Sequence, residues 1–91
     1  MMVRVRFFAQ FRERYGSVHE IDLPARATIL EAVRMVVSGD REEDSVMDGN
    51  DRLREFVILM HNGVRVESIE VETVRLEDGD EVAVFPPVAG G

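Results

Sequence analysis

The stretch Leu76-Glu-Asp-Gly-Asp-Glu-Val-Ala-Val-Phe-Pro-Pro-Val-Ala-Gly-Gly91 changes character three times within sixteen residues. Glu77 to Asp80 carries the Gly and Asp that a tight connection requires. Glu81 to Phe85 then alternates as a strand does, which predicts Val82 and Val84 facing inward and Glu81, Ala83 and Phe85 facing outward. Pro86 and Pro87 have no backbone N–H, so ladder pairing stops with Phe85 and the rest of the chain leaves the sheet. The six residues beyond Phe85 reach at most ~20 Å at ~3.3 Å each. The last two, Gly90 and Gly91, have no Cβ, so they fit a narrow channel and leave the terminal carbonyl open on both faces.

Working back from this strand, the alternation Val3, Arg4, Val5, Arg6, Phe7 predicts another half-buried strand, with Phe8 pointing outward alongside Arg4 and Arg6. The polar stretch Gln10 to Gly16 predicts a turn, and Val18 to Leu23 predicts a second strand stopped by Pro24, giving a hairpin with a wide connection. Thr28 followed by Glu31 forms a capping box, and Ile29, Ala32, Val33, Val36 and Val37 share one helical face, with Gly39 as a stop. Phe56 to His61 is apolar, and Asn62-Gly63 predicts a tight hairpin into Val64 to Val66. Between helix and hairpin lies an acidic excursion containing Asp40, Glu42, Glu43, Asp44, Asp48 and Asp51. Its spacing loosely resembles a calcium loop, but Ser45 stands where the sharp turn needs Gly, so a solvated loop is the expectation. The order strand, strand, helix, strand, strand, strand predicts an α+β domain: one mixed sheet covered on one face by a helix. A single folded domain is expected over 1–87, with 88–91 as a mobile tail.

Composition narrows the functions. The 91 residues are 45% hydrophobic and 32% charged, as in an ordinary globular domain. The net charge of −7 disfavours nucleic acid and anionic membrane surfaces as partners. All 11 basic residues are Arg, and Lys is absent. Cys is absent too, so the chain has no thiolate ligand, disulfide or catalytic thiol. His19 and His61, far apart and without Cys companions, predict no metal site. Phe56 to Met60, the longest aliphatic and aromatic run, is too short to span a bilayer, and a cytoplasmic location is expected.

The ending from Leu76, together with Phe7-Phe8-Ala9-Gln10-Phe11-Arg12-Glu13, closely resembles the MoaD/ThiS family of sulfur carriers, nearly end to end. Phe-Pro-Pro-Val-Ala-Gly-Gly is more similar to the MoaD branch than to the thiamine branch, and small archaeal modifier proteins share the pattern. The acidic insertion at Asp40 to Asp51 departs from the shortest bacterial members. The resemblance implies a ubiquitin-like β-grasp fold in which first and last strands are neighbours. Phe8 and Phe85 would then form one outward apolar patch for partner docking, continued by Pro86, Pro87, Val88 and Gly90. Gly91 would be the reacting residue.

A free α-carboxyl, with a pKa of about 3.5, is ionised and a poor acyl donor, so it needs activation. The chain has no Gly-rich phosphate loop and no Lys to hold a nucleotide, so no cofactor is expected on it and the ATP site must lie on another protein. The resemblance implies a MoeB-type adenylating enzyme as that partner, followed by conversion of the acyl-adenylate to a thiocarboxylate. It further implies a MoaE-like large subunit, with this chain as the small subunit of molybdopterin synthase in molybdenum cofactor biosynthesis. Two other readings stand beside it: a ubiquitin-like modifier joined through Gly91 to target-protein lysines, and a structural β-grasp interaction module.

Overall fold

The computed structural model describes residues 1–87. In chain order the elements are β1 (Met2–Phe7), α1 (Gln10–Tyr15), β2 (Val18–Asp22), α2 (Ile29–Val37), β3 (Ile58–His61), β4 (Val64–Arg65), α3 (Glu70–Thr73) and β5 (Glu81–Phe85). The strands form one sheet in the order β2-β1-β5-β3-β4. The hairpins β1–β2 and β3–β4 are antiparallel, and β5 lies between them, parallel to β1 and antiparallel to β3.

The predicted alternation sets the two faces. Val3, Val5, Phe7, Leu59, Val82 and Val84 are buried against α2, which contributes Ile29, Ala32, Val33 and Val37 to the same core. The Thr28 hydroxyl accepts a hydrogen bond from the Glu31 backbone N–H at 3.2 Å, so the helix begins at the predicted cap. Asn62 and Gly63 both take positive φ (50° and 83°), as a two-residue hairpin turn requires. Asp80 fastens this turn to the start of β5. Its carboxylate accepts from the Asn62 amide at 3.0 Å and the Glu77 N–H at 2.9 Å, and pairs with His61 at 2.8 Å. Asp80→Ala removes all three side-chain contacts and is expected to cost about 1–3 kcal/mol in chemical denaturation. A change within error would show that solvent replaces them freely.

Two expectations need correction. Gln10 to Gly16 is not a simple turn, because Gln10–Tyr15 forms α1 and buries Phe11, and a further short helix, α3, buries Val71. Each is under two turns and carries one buried residue, too little for a helical period to be read. The acidic excursion is also not solvated throughout. Ser45, Val46 and Met47 are buried at 1%, 0% and 0% exposure. Tyr15 holds them in place: its hydroxyl donates to Asp40 at 2.7 Å and accepts from the Val46 N–H at 3.2 Å. Arg54 donates to the carbonyls of Ser45 and Glu42 at 2.9 and 2.8 Å, and Arg41 pairs with Asp51.

Arg14, which donates to the Asp40 carboxylate at 2.9 Å, holds that carboxyl well below the usual aspartate range. A depressed folded pKa gives stability that is complete above the unfolded value of about 3.9 and is lost as pH falls below it toward the folded value. Thermal melts between pH 5 and pH 2 are therefore expected to show a falling midpoint. Asp40→Asn should make that fall shallower, and an unchanged slope would refute the assignment.

Candidate docking face and exit of the chain

The face of the sheet away from α2 is organised in rows that follow from the register. One row runs Val18, Arg6, Ala83, Met60, Arg65, straight across all five strands. The row nearer the exit of the chain holds Phe8, Phe85 and Ile58, and the row on the other side holds Glu20, Arg4 and Glu81. Apolar side chains thus gather toward the end where Pro86 leaves, and charges gather at the opposite end. Arg4 donates to Glu20 at 2.8 Å and lies 4.0 Å from Glu81, while Arg6 lies 3.8 Å from Glu81.

Phe8 and Phe85, predicted to be neighbours on this face, are neighbours. Their rings stack at 4.4 Å between centroids with 9° between planes, and each is half-buried. The Phe8 N–H donates to the Val84 carbonyl at 3.2 Å, one step beyond the β1–β5 ladder. Pro86 is half-buried and Pro87 exposed. Val88, Gly90 and Gly91 lie outside the described residues, and so does the tail expected over 88–91.

Three features of this face were not expected from the sequence. Ile58 and Met60 extend the patch, a consequence of alternation in a strand known only to be apolar. Arg6 places its guanidinium 5.4 Å from the Phe8 ring centre. Ala9 adopts φ 52°, ψ −131°, a conformation that side-chain-bearing residues rarely take, and no sequence signal marks it. Of the histidines, His61 pairs with Asp80, and His19 contacts the Tyr15 carbonyl and the edge of Phe7. Among the described residues no cluster of three or more His, Cys, Asp or Glu could hold a metal, and no helix is long and apolar enough to cross a membrane.

A mixed five-stranded sheet with one principal helix packed on one face and the two terminal strands paired in parallel at its centre is the ubiquitin-like β-grasp. The crystal structure of SAMP1 from Haloferax volcanii has this arrangement, with a TM-score of 0.82 at 28% identity over 100% of both chains. The chain belongs to the ThiS family, whose match covers residues 5–91. It is 36% identical over 96 residues to the molybdopterin synthase sulfur carrier subunit of Escherichia coli, covering 99% of this chain and 100% of that one. It is 35% identical over 99 residues to small archaeal modifier protein 3 of Haloferax volcanii, covering 100% of each.

Proposed function

We propose that this protein is a sulfur carrier that works through the carboxylate of Gly91, as the small subunit of a molybdopterin synthase in the cytoplasm. The observation that carries the reading is the extent of the ThiS family match, which runs to residue 91 and so includes the Gly-Gly pair. The molybdopterin synthase sulfur carrier subunit of Escherichia coli supports the narrower assignment. In the proposed sequence a MoeB-type adenylating enzyme supplies ATP. The Gly91 carboxylate oxygen attacks the α-phosphorus and pyrophosphate leaves; sulfur delivered at the hydrosulfide level then attacks the acyl carbon, forming the C–S bond as the bond to AMP breaks, and leaves the thiocarboxylate. A MoaE-like large subunit receives the loaded end. This chain's own part is to dock and to present an unshielded carbonyl. With no Lys, it offers the activated acyl group no ε-amine of its own to attack.

Docking is assigned to the patch of Phe8, Phe85, Ile58, Met60 and Ala83, continued by Pro86, Pro87, Val88 and Gly90. Met60→Asp places a charge at its centre and leaves the Phe pair intact. It is expected to weaken binding of the adenylating enzyme by about 1–3 kcal/mol with little loss of stability. Isothermal titration beside thermal melts checks this, and unchanged affinity would remove the patch from the interface.

Similarity to small archaeal modifier protein 3 favours a second reading, in which Gly91 is joined by an isopeptide bond to target lysines. Intact mass of the protein from its native cells, with tagged pull-down, separates the two. Sulfur replacing oxygen at the terminus supports the carrier. Gly-Gly remnants on other proteins' lysines support the modifier, and neither product would overturn both.

A further inference from the structure

We infer that Asn62 is a site of spontaneous, backbone-assisted deamidation, restrained in the folded protein by two hydrogen bonds to β5, and that the reaction unfastens the β3–β4 turn from Asp80. Such a modification is separate from the chemistry proposed at Gly91 and does not depend on it.

An asparagine before glycine is open to attack on its own side chain, because a residue without Cβ leaves its backbone nitrogen unshielded. The Gly63 nitrogen bonds to the Asn62 side-chain carbonyl carbon and a cyclic succinimide forms. The side-chain amide nitrogen leaves as ammonia, its extra proton matching the one given up by the Gly63 N–H. Water then opens the ring at either carbonyl, giving aspartate or isoaspartate, with no oxidant or reductant required. Asn62 and Gly63 are both exposed, and nothing stands within 4 Å of where a Gly63 Cβ would be. The reacting groups are therefore sterically open.

Asp48-Gly49 and Asp78-Gly79 are the other pairs of this kind in the sequence, and neither is as well placed. The backbone N–H groups of Arg52 and Asn50, at 3.1 and 2.8 Å, hold the Asp48 carboxyl below the usual aspartate range. An ionised carboxylate is a poor target for a nucleophile. The Gly79 N–H donates to the Met2 carbonyl at 2.8 Å and Asp78 accepts from the Met2 N–H at 2.7 Å, so both reacting groups there are engaged. Asn62 presents a neutral amide, the better electrophile. What restrains it is β5: Asn62 Oδ1 accepts from the Glu81 N–H at 2.8 Å, and Nδ2 donates to Asp80 Oδ1 at 3.0 Å. These bonds fix the side chain on β5, and it must leave them to swing over the Gly63 nitrogen.

Asp80 joins the two hairpins at this end of the sheet. Its carbonyl accepts from the Arg4 N–H at 2.9 Å, while its carboxylate holds Asn62 and His61. Deamidation takes the donor from Asp80 and sets a second carboxylate against it, exchanging an attraction for a repulsion. Isoaspartate does more, because it adds a methylene to the backbone of a two-residue turn in which both residues hold positive φ.

The test incubates the unsubstituted protein at mildly alkaline pH, folded and in urea, and follows Asn62 by peptide mass and by methylation with an isoaspartyl methyltransferase. Reaction is expected to be slower by about tenfold or more in the folded protein. Equal rates, or no reaction at Asn62 in the unfolded chain, would overturn the inference. Asp80→Ala should speed the folded reaction about fivefold, whereas Val33→Ala, which destabilises through the core, should leave it within about twofold. Equal acceleration by both would mean that Asn62 reacts only through global unfolding, and the restraint by β5 would be refuted. Should Asp80→Ala not fold, Asp80→Asn keeps an oxygen but loses the charge that strengthens the bond, and must accelerate the reaction in the same sense. Asn62→Asp reproduces the normally linked product. Its urea midpoint should fall, and the loss should disappear when Asp80→Ala is already present. No loss, or the same loss in both backgrounds, would show that the turn is not unfastened from Asp80.

Discussion

Removing Gly91, or Gly90 and Gly91 together, is expected to abolish the proposed adenylation and sulfur loading while leaving thermal unfolding unchanged. The two halves of this expectation have separate causes. Chemistry at the terminal carboxylate depends on its reaching the α-phosphorus of ATP in another protein's site. A chain shortened by one residue falls ~3.3 Å short and ends in Gly90, and one shortened by two ends in Ala89. Such a shift exceeds by severalfold the misplacement that costs two orders of magnitude in rate. No stability loss is expected, because the β5 ladder ends at Phe85, the next two residues cannot donate to it, and glycine has no side chain to bury. Pyrophosphate exchange with the purified adenylating enzyme, read beside a thermal melt, measures both halves. Full activity of the truncated chain would end the carrier proposal and the modifier alternative with it.

The neighbouring phenylalanines should behave in opposite ways, and Phe7→Ala is expected to cost about 3–5 kcal/mol of stability. Phe7 is 1% exposed, packs its ring 4.9 Å from that of Tyr15 and lies 5.8 Å from the His19 ring. Its removal leaves a cavity in the core and takes away the ring against which Tyr15 packs. Tyr15 in turn holds Asp40 and Val46, so the loss spreads to the buried part of the acidic segment. Native domains have about 5–15 kcal/mol in total, so much of the margin would be gone. Urea denaturation at neutral pH measures it. A cost below about 1 kcal/mol would mean that the ring is not part of a close-packed core. Phe8→Ala, one residue on and on the other face, should cost far less.

The contrast between these two rings was legible in the sequence because β1 alternates strictly, and alternation fixes the face once one residue is placed. The α2 boundaries were legible for a similar local reason, since Thr28 and Glu31 sit three residues apart before an apolar face. The adjacency of Phe8 and Phe85 had no local sign. It depends on β1 and β5 pairing across almost the whole chain, and only the family resemblance pointed to it. Val46 and Met47 were hidden by their setting, because two apolar residues among acidic neighbours establish no period. They are buried in the common core, and the segment is held there by Tyr15 and Arg14 from α1 together with Arg41 and Arg54 of the segment itself and its flank. The patch was legible in part: its aromatic pair from parity, its Ile58 and Met60 extension only once β3 had a register, and the Ala9 turn not at all.

The placement of β5 at the middle of the sheet has a consequence for how the protein is made. A ribosome delivers β1, β2, α2, β3 and β4 before β5, and until β5 arrives the chain holds two separate hairpins, each with an open edge where β5 belongs. Neither hairpin alone is expected to be stable in water. Joining them requires the long-range pairing of β1 with β5, the slow kind of step in folding. Closure of the sheet is therefore one late event, in which the strand that bears Phe85, Pro86 and Pro87 also completes the core. A copy without β5 in place would have neither the row of Phe8, Phe85 and Ile58 nor the ring stack, so that face exists only in the closed sheet.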